Sequence, residues 1–196
     1  MATSTVAVRR PLVLADLVPG ARMRDVALVV GGAAFVGLAA QLSVPIPGTP
    51  VPVTGQTLAV LLSCAALGSV RGVASMLLYV VAGVAGVPWF ADHQSGFAMP
   101  DFGYIAGYVL AAAAVGALAS RGWDRTPLRT AGTMVVGNLV IYAAGVTWLA
   151  GAVHTSLAHA VVLGVLPFLV GDAVKIVVAM GLLPAAWKLV GGRARD

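Results

Sequence analysis

The chain has 196 residues, of which 60% are hydrophobic and only 10% are charged, and its formal net charge is +5. Soluble domains carry about 25% charged residues, so this composition excludes a soluble globular protein and predicts an integral membrane protein. A spanning helix needs about 20 apolar residues, which leaves room for about six helices. The basic residues lie at loop ends and not on one amphipathic face, so the charge indicates membrane topology and not nucleic-acid binding.

The sequence predicts three segments. Residues 1–24 hold four arginines around a short apolar stretch, which is typical of a cytoplasmic segment with an interfacial helix. Residues 25–190 form a membrane domain, and residues 191–196 form a cytoplasmic tail. The sequence contains no phosphate-binding loop, nucleophile elbow or HExxH pair. We therefore expect no cofactor, no metal and no enzymatic activity.

The first predicted helix, residues 25–42, is rich in small residues. Ala27 with Gly31, and Ala33 with Gly37, are each four apart, so each pair lies on one helix face and allows close approach of another helix. A surface for a partner protein and ordinary packing inside the bundle explain this spacing equally well.

A proline-rich loop follows at residues 43–57. Its four prolines and two glycines exclude a continuous helix and predict an ordered loop that lines the mouth of the bundle. Gln56 is the candidate ligand contact at its end. Two short helices are then predicted over residues 56–67 and 72–87, with Arg71 at the turn between them.

The segment "GVPWFADHQSGFAMPDFGY" combines aromatic and hydrogen-bonding side chains but has no lysine or arginine. Such a mixture suits a lid over an amphipathic small molecule. The alternative is an aromatic belt at the membrane interface beside a solvated loop. The candidate ligand contacts in this segment are Trp89, Phe90, Asp92 and His93.

Polar side chains also lie inside the helices predicted over residues 103–120 and 130–150. Tyr104 precedes a second tyrosine by four residues, and Asn138 stands four residues before Tyr142. A buried amide needs a hydrogen-bond partner, which is either a neighbouring helix or a ligand. We count Tyr104, Asn138 and Tyr142 as candidate ligand contacts, with core or interface positions as the alternative for the tyrosines.

The last third of the chain places one acid and one base in an otherwise apolar helix. Pro167 favours a first helical turn, so it predicts a break near Leu166 before the last helix. Asp172 and Lys175 stand three apart in that helix and share one face. A charge at the bilayer centre costs about 2.5–3.5 kcal/mol on insertion scales, so we predict the polar floor of a pocket. The alternative is a neutralised pair that only fixes the helix to a neighbour.

The loops differ sharply in charge. With the N-terminus inside, the inner segments receive eleven of the twelve basic residues, and the twelfth is Lys175. This positive-inside pattern predicts an all-α membrane protein with six transmembrane helices and both termini cytoplasmic. The same count puts the two long loops on the outer side, where they would cap a ligand pocket that opens outward.

Five separated motifs occur in chain order: "PVPVTGQTLAVLL", "GVPWFA", "PDFGYIAGY", "GNLVIYAAG" and "PFLVGDAVK". Together they resemble the BioY family, the biotin-specific substrate-binding component of energy-coupling-factor (ECF) transporters. The family's G-D-x-x-K motif falls on Asp172 and Lys175. The chain departs from the family's glycine-rich loop at residues 92–95, which read "DHQS".

The resemblance implies a six-helix fold that captures biotin from outside the cell membrane. It also implies two kinds of partner: a transmembrane coupling subunit, or T component, and paired cytoplasmic ATP-binding subunits. Two alternatives stay open. One is a component for another vitamin, such as riboflavin or thiamine, and the other is an intramembrane enzyme that uses Asp172 and His93 as acid and base.

Overall fold

The computed structural model describes residues 13–18 and 22–193. Parts of the predicted N-terminal segment and tail, residues 1–12, 19–21 and 194–196, lie outside the described residues. The N-terminal segment contributes one 3₁₀ turn, Leu14–Leu17, at the place of the predicted interfacial helix.

The described chain is almost entirely helical. Its elements are α1 Arg22–Ala40, β1 Ser43–Val44, β2 Val53–Thr54, α2 Gln56–Val84, α3 Phe102–Ser120, α4 Pro127–Ala152, α5 Leu157–Gly164 and α6 Leu169–Arg193. By length and composition, five helical stretches could cross a membrane, namely Arg22–Ala40, Gln56–Val84, Phe102–Ser120, Pro127–Ala152 and Leu157–Leu189. The prediction of an all-α, multi-pass membrane protein is confirmed.

Helix α2 is divided at Gly68, where φ is 78° and ψ is 176°. The two arms fold back on each other. This is seen from the side-chain nitrogen Nε2 of Gln56, which lies 2.6 Å from the hydroxyl of Tyr79. In a straight helix these residues would be about 34 Å apart. The predicted pair of short helices is therefore present, but its turn lies at Gly68 and not at Arg71. Glycine adopts this backbone conformation without steric cost.

The proline-rich loop forms a short antiparallel ladder that the sequence analysis did not predict. Ser43 pairs with Thr54, and Val44 pairs with Val53. The ladder closes the loop at its base and holds the intervening prolines over the helices. Near the other end of the chain, α5 and α6 are separated by the 3₁₀ turn Leu166–Phe168, so the predicted break near Leu166 is confirmed.

The bundle has two distinct ends. At one end Arg71, near the break in α2, pairs with Asp16 at 2.7 Å and with Asp25 in the first turn of α1 at 3.0 Å. Gly116, near the end of α3, packs against the same break. We call this the basic end. The opposite end carries the β1–β2 ladder and residues 85–101, and we call it the loop end.

Candidate ligand-binding cavity

A cavity of about 510 Å³, open solvent at its mouth included, lies between the β1–β2 loop and helices α2, α3, α4 and α6. Six of the ten predicted ligand contacts line it: Gln56, Tyr104, Asn138, Tyr142, Asp172 and Lys175. Residues from four helices therefore meet at one place.

The acid and the base of α6 are held by two other helices. The Tyr142 hydroxyl of α4 donates to Asp172 Oδ2, and the Lys175 ammonium lies 3.3 Å from Asp172 Oδ1. The same ammonium donates to Thr57 Oγ1 of α2 at 2.7 Å. An ammonium has three donors and a carboxylate has about four acceptor sites, so each charge keeps hydrogen-bonding capacity for a ligand.

Asn138 and Tyr104 contribute in different ways. The Asn138 side chain is 8% exposed, and its carboxamide has no hydrogen-bond partner within the described part of the chain. The amide lines the cavity and is not bonded to a neighbouring helix among the described residues, so it can bind a ligand there. Tyr104 donates to the Gly164 carbonyl at 2.8 Å, so its ring forms a fixed wall.

Two predicted aromatic contacts are packed away from the cavity. Phe90 is fully buried against Gly83, where any side chain would overlap its ring. Trp89 lies against Gly37 of α1, and its indole donates to the Tyr79 carbonyl at 3.0 Å. Neither residue is part of the cavity lining. Both fix residues 88–94 to the helices below.

The two predicted polar contacts of the same segment also lie outside the cavity lining. Asp92 lines a second, neighbouring cavity of about 500 Å³, and His93 is exposed to solvent. The enzyme alternative needs Asp172 and His93 in one site, and the structure does not bring them together there.

Several residues that line the cavity are not among the ten predicted ligand contacts. Asp101 lines both cavities, and burial raises the pKa of its carboxyl, with the negative charge of Asp92 acting in the same direction. Thr57 directly follows Gln56, and Tyr108 lies one helical turn after Tyr104. Their closeness in sequence to predicted contacts is a signal that could have identified both. Phe168 carries no such signal.

Of the four residues predicted to form a partner surface on α1, two are exposed and two are buried. Ala27 and Gly31 are exposed, and a Cβ added to Gly31 would have no atom within 4 Å. Ala33 is fully buried, and a Cβ on Gly37 would lie 3.3 Å from the Trp89 ring. Ala33 and Gly37 thus pack inside the protein, and only Ala27 and Gly31 are accessible to a partner.

The model of the BioY family matches residues 9–192 of the chain. The chain belongs to the BioY family. This BioY chain is 36% identical over 159 residues to the probable biotin transporter BioY of Pyrococcus horikoshii, which covers 81% of this chain and 93% of that protein. It is 35% identical over 149 residues to the biotin transporter BioY of Thermotoga maritima, covering 74% of this chain and 85% of that protein.

A solved structure shares the fold of this BioY chain. It is the S-component for biotin from an ECF-type ABC transporter, which superimposes with a TM-score of 0.74 at 19% sequence identity. The match covers 85% of this chain and 92% of the solved chain. The chain therefore shares the overall fold of an ECF S-component.

Proposed function

We propose that this chain is the high-affinity biotin-binding component of an ECF vitamin uptake transporter in the cell membrane. Its relatives are named biotin transporters, and membership of that family favours transport over catalysis. The observation that carries the proposal is the cavity in which Asp172, Lys175 and Asn138 keep hydrogen-bonding capacity beside apolar and aromatic walls.

The chemistry of biotin matches this cavity. Biotin has a ureido ring with two N–H donors and one carbonyl, an apolar bicycle with a thioether, and a carboxylate on a flexible tail. The Asp172 carboxylate suits the N–H donors, and the Lys175 ammonium suits either the tail carboxylate or the ureido oxygen. Because the ammonium lies 3.3 Å from the Asp172 carboxylate, the two groups are placed to bind the same end of the ligand, and the tyrosine rings pack the bicycle.

We assign the direct contacts to the six cavity residues, Gln56, Tyr104, Asn138, Tyr142, Asp172 and Lys175. Trp89 and Phe90 support the segment that closes over them, because both are packed against the helices. The cavity that Asp92 lines is adjacent to the site, since Pro52 and Asp101 line both cavities.

We infer the orientation in the membrane from the difference in charge between the two ends of the bundle. We count the two antiparallel arms of α2 as two spans, which raises the total from five to six and would put both termini on the same side. Arg24 and Arg71 lie at the basic end, and α3 ends there at Ser120, next to Arg121. We therefore place that end in the cytoplasm and the loop end outside. Biotin then enters from the outer side and leaves inward.

Delivery inward requires partners, because the sequence has no ATP-binding motif. We propose a T component and paired ATP-binding subunits, and we place the contact with the T component on α1. Its exposed face combines Ala27 and Gly31 with apolar side chains such as Leu38, which is 72% exposed. Small residues let two helices approach closely where lipid would otherwise cover them.

A calorimetric titration of the purified protein in detergent tests the proposal. We expect one biotin to bind per chain, with no heat from riboflavin or thiamine at the same concentrations. Recovery of biotin unchanged by mass spectrometry separates binding from turnover. Binding of riboflavin or thiamine in preference to biotin would overturn the assignment of the ligand.

A further inference from the structure

We propose that Tyr79 is a positioning residue, which sets the Gln56 amide in the cavity and ties it to residues 88–94 and to α1. The inference rests on the proposed function, because it describes how the occupied cavity acts on the rest of the chain. Tyr79 is fully buried and is not part of the cavity lining, so it acts through Gln56 and not on the ligand.

The Tyr79 hydroxyl joins the cavity to the loop end. It accepts a hydrogen bond from Gln56 Nε2 at 2.6 Å and donates one to the Trp89 carbonyl at 3.1 Å. The Trp89 indole donates in return to the Tyr79 carbonyl at 3.0 Å. The second arm of α2 and the segment above it are thus fixed by two reciprocal bonds.

The other bonds of Gln56 leave it one free donor. Its Oε1 accepts from the Thr54 hydroxyl at 3.1 Å and from the Tyr108 hydroxyl at 3.4 Å. A carboxamide has two N–H donors, and Tyr79 takes one of them. The bond to Tyr79 therefore fixes the plane of the amide and determines where the second N–H points.

The path continues from Trp89 to α1. Gln41 Nε2 donates to the carbonyls of Trp89 and Phe90, at 3.3 Å and 3.2 Å. Gln41 Oε1 is buried without a partner within the described part of the chain. Gln41 Nε2 also donates to the Gly37 carbonyl of α1 at 3.1 Å, so this side chain joins residues 88–94 to α1. The same helix carries Ala27 and Gly31.

Hydrogen exchange measured by mass spectrometry, with and without saturating biotin, tests this path. In the wild-type protein we expect biotin to slow exchange in peptides that cover residues 88–94 and 37–41. Tyr79→Phe keeps the ring against Trp89 and Phe90 but removes the hydroxyl. We expect this variant to lose at least two thirds of the protection in both peptides and to release biotin about tenfold faster.

Tyr108→Phe is the matched control, because it removes a hydroxyl from the other side of Gln56 and leaves the bonds between Tyr79 and Trp89 intact. We expect the biotin-dependent protection of both peptides to persist in this variant at saturation. Equal loss in the two variants, or full protection in Tyr79→Phe, would overturn the role assigned to Tyr79.

Gln41→Met tests the last step and does not depend on the stability of the Tyr79 variant. We expect protection to remain at residues 88–94 and to disappear at residues 37–41. Protection at both peptides would overturn the path to α1. A wild-type protein that binds biotin without slower exchange at residues 88–94 would overturn the inference alone, whereas failure to bind biotin would overturn the proposed function.

Discussion

The two charged clusters of this protein lie at opposite ends and are built differently. At the basic end Arg71 lies between two carboxylates, Asp16 at 2.7 Å and Asp25 at 3.0 Å, and joins segments distant in sequence. At the cavity Asp172 and Lys175 belong to one helix and are 3.3 Å apart, with a hydroxyl as the nearest partner of the ammonium. The first cluster satisfies its charges with each other, and the second leaves capacity facing a cavity.

This difference separates charges that hold a fold together from charges that bind a ligand. An ion pair at a partly exposed surface contributes about 0–1 kcal/mol, and its effect is seen in stability. A charge kept in an apolar helix beside a cavity is expected to act on affinity. Substitutions at the cavity should therefore lower biotin affinity with little effect on stability, and substitutions at the basic end should lower stability with little effect on affinity.

The largest effect is expected at the cavity. Lys175→Met removes the ammonium but keeps the length and the apolar stem of the side chain. We expect biotin affinity to fall about 100-fold, which corresponds to about 2.7 kcal/mol, with a small change in melting temperature. Titration calorimetry and thermal melting of the same sample check both parts. A large loss of melting temperature with unchanged affinity would reverse the distinction between the clusters.

Arg71→Gln is the counterpart at the basic end. It leaves Asp16 and Asp25 without their shared cation, so we expect the free energy of unfolding to fall by about 1 kcal/mol. This corresponds to a decrease of roughly 2–4 °C in melting temperature for a chain of this size. Biotin affinity should stay within about threefold of the wild type. A tenfold loss of affinity would show that this cluster also shapes the cavity.

Two glycines of α1 give a matched pair for the partner surface. Gly31→Leu enters open space, whereas Gly37→Leu would press on the Trp89 ring. We expect Gly31→Leu to keep biotin binding in detergent but to reduce uptake by cells that contain the complete transporter several-fold. Gly37→Leu should instead lower the melting temperature. Normal uptake by the Gly31 variant would remove this face from the proposed interface.

The smallest effect concerns Asp124, a fully buried carboxylate in the loop after α3. Burial raises its pKa above the ordinary value of 3.8, against the opposing effects of the Trp187 indole and of Arg125. At pH values between the pKa of the unfolded chain and the higher pKa of the folded chain, the folded chain holds a proton that the unfolded chain releases. Stability should therefore fall as pH rises through that window.

Asp124→Asn keeps an acceptor for the Trp187 indole, which donates to this residue at 2.6 Å, and removes the ionisable group. We expect the variant to melt at or slightly above the wild-type temperature at pH 7. Its melting temperature should also depend less on pH between 4 and 7. A variant that melts lower at pH 7 would indicate that the carboxylate is charged and stabilising.

Much of the helical architecture could be predicted from the sequence, because apolar runs and prolines determine where helices form in a membrane protein. The break near Leu166 follows from Pro167 in this way. The turn in α2 lies at Gly68, three residues before the predicted position at Arg71. A glycine inside an apolar run does not by itself indicate a turn, whereas a charged residue such as Arg71 does. In the structure the helix resumes after Gly68, so Arg71 already lies in the second arm.

Cavity residues could be predicted from the sequence where a polar side chain stands in an apolar helix, as for Asn138, Asp172 and Lys175. The aromatic segment was more difficult, because composition does not show which way a loop side chain points. Trp89 and Phe90 pack against glycines of α1 and α2, and those contacts depend on the tertiary fold. The sequence does not show whether Gly37 is buried or exposed either, because its burial depends on the tertiary contact with Trp89.

Titration of biotin into Asp172→Asn tests the central claim most directly. The substitution keeps the shape of the side chain and an acceptor for the Tyr142 hydroxyl but removes the negative charge. We predict that the dissociation constant for biotin rises at least tenfold over the wild type, which corresponds to about 1.4 kcal/mol. An unchanged dissociation constant would contradict the account and would leave Asp172 and Lys175 as a pair that only fixes α6 in the bundle.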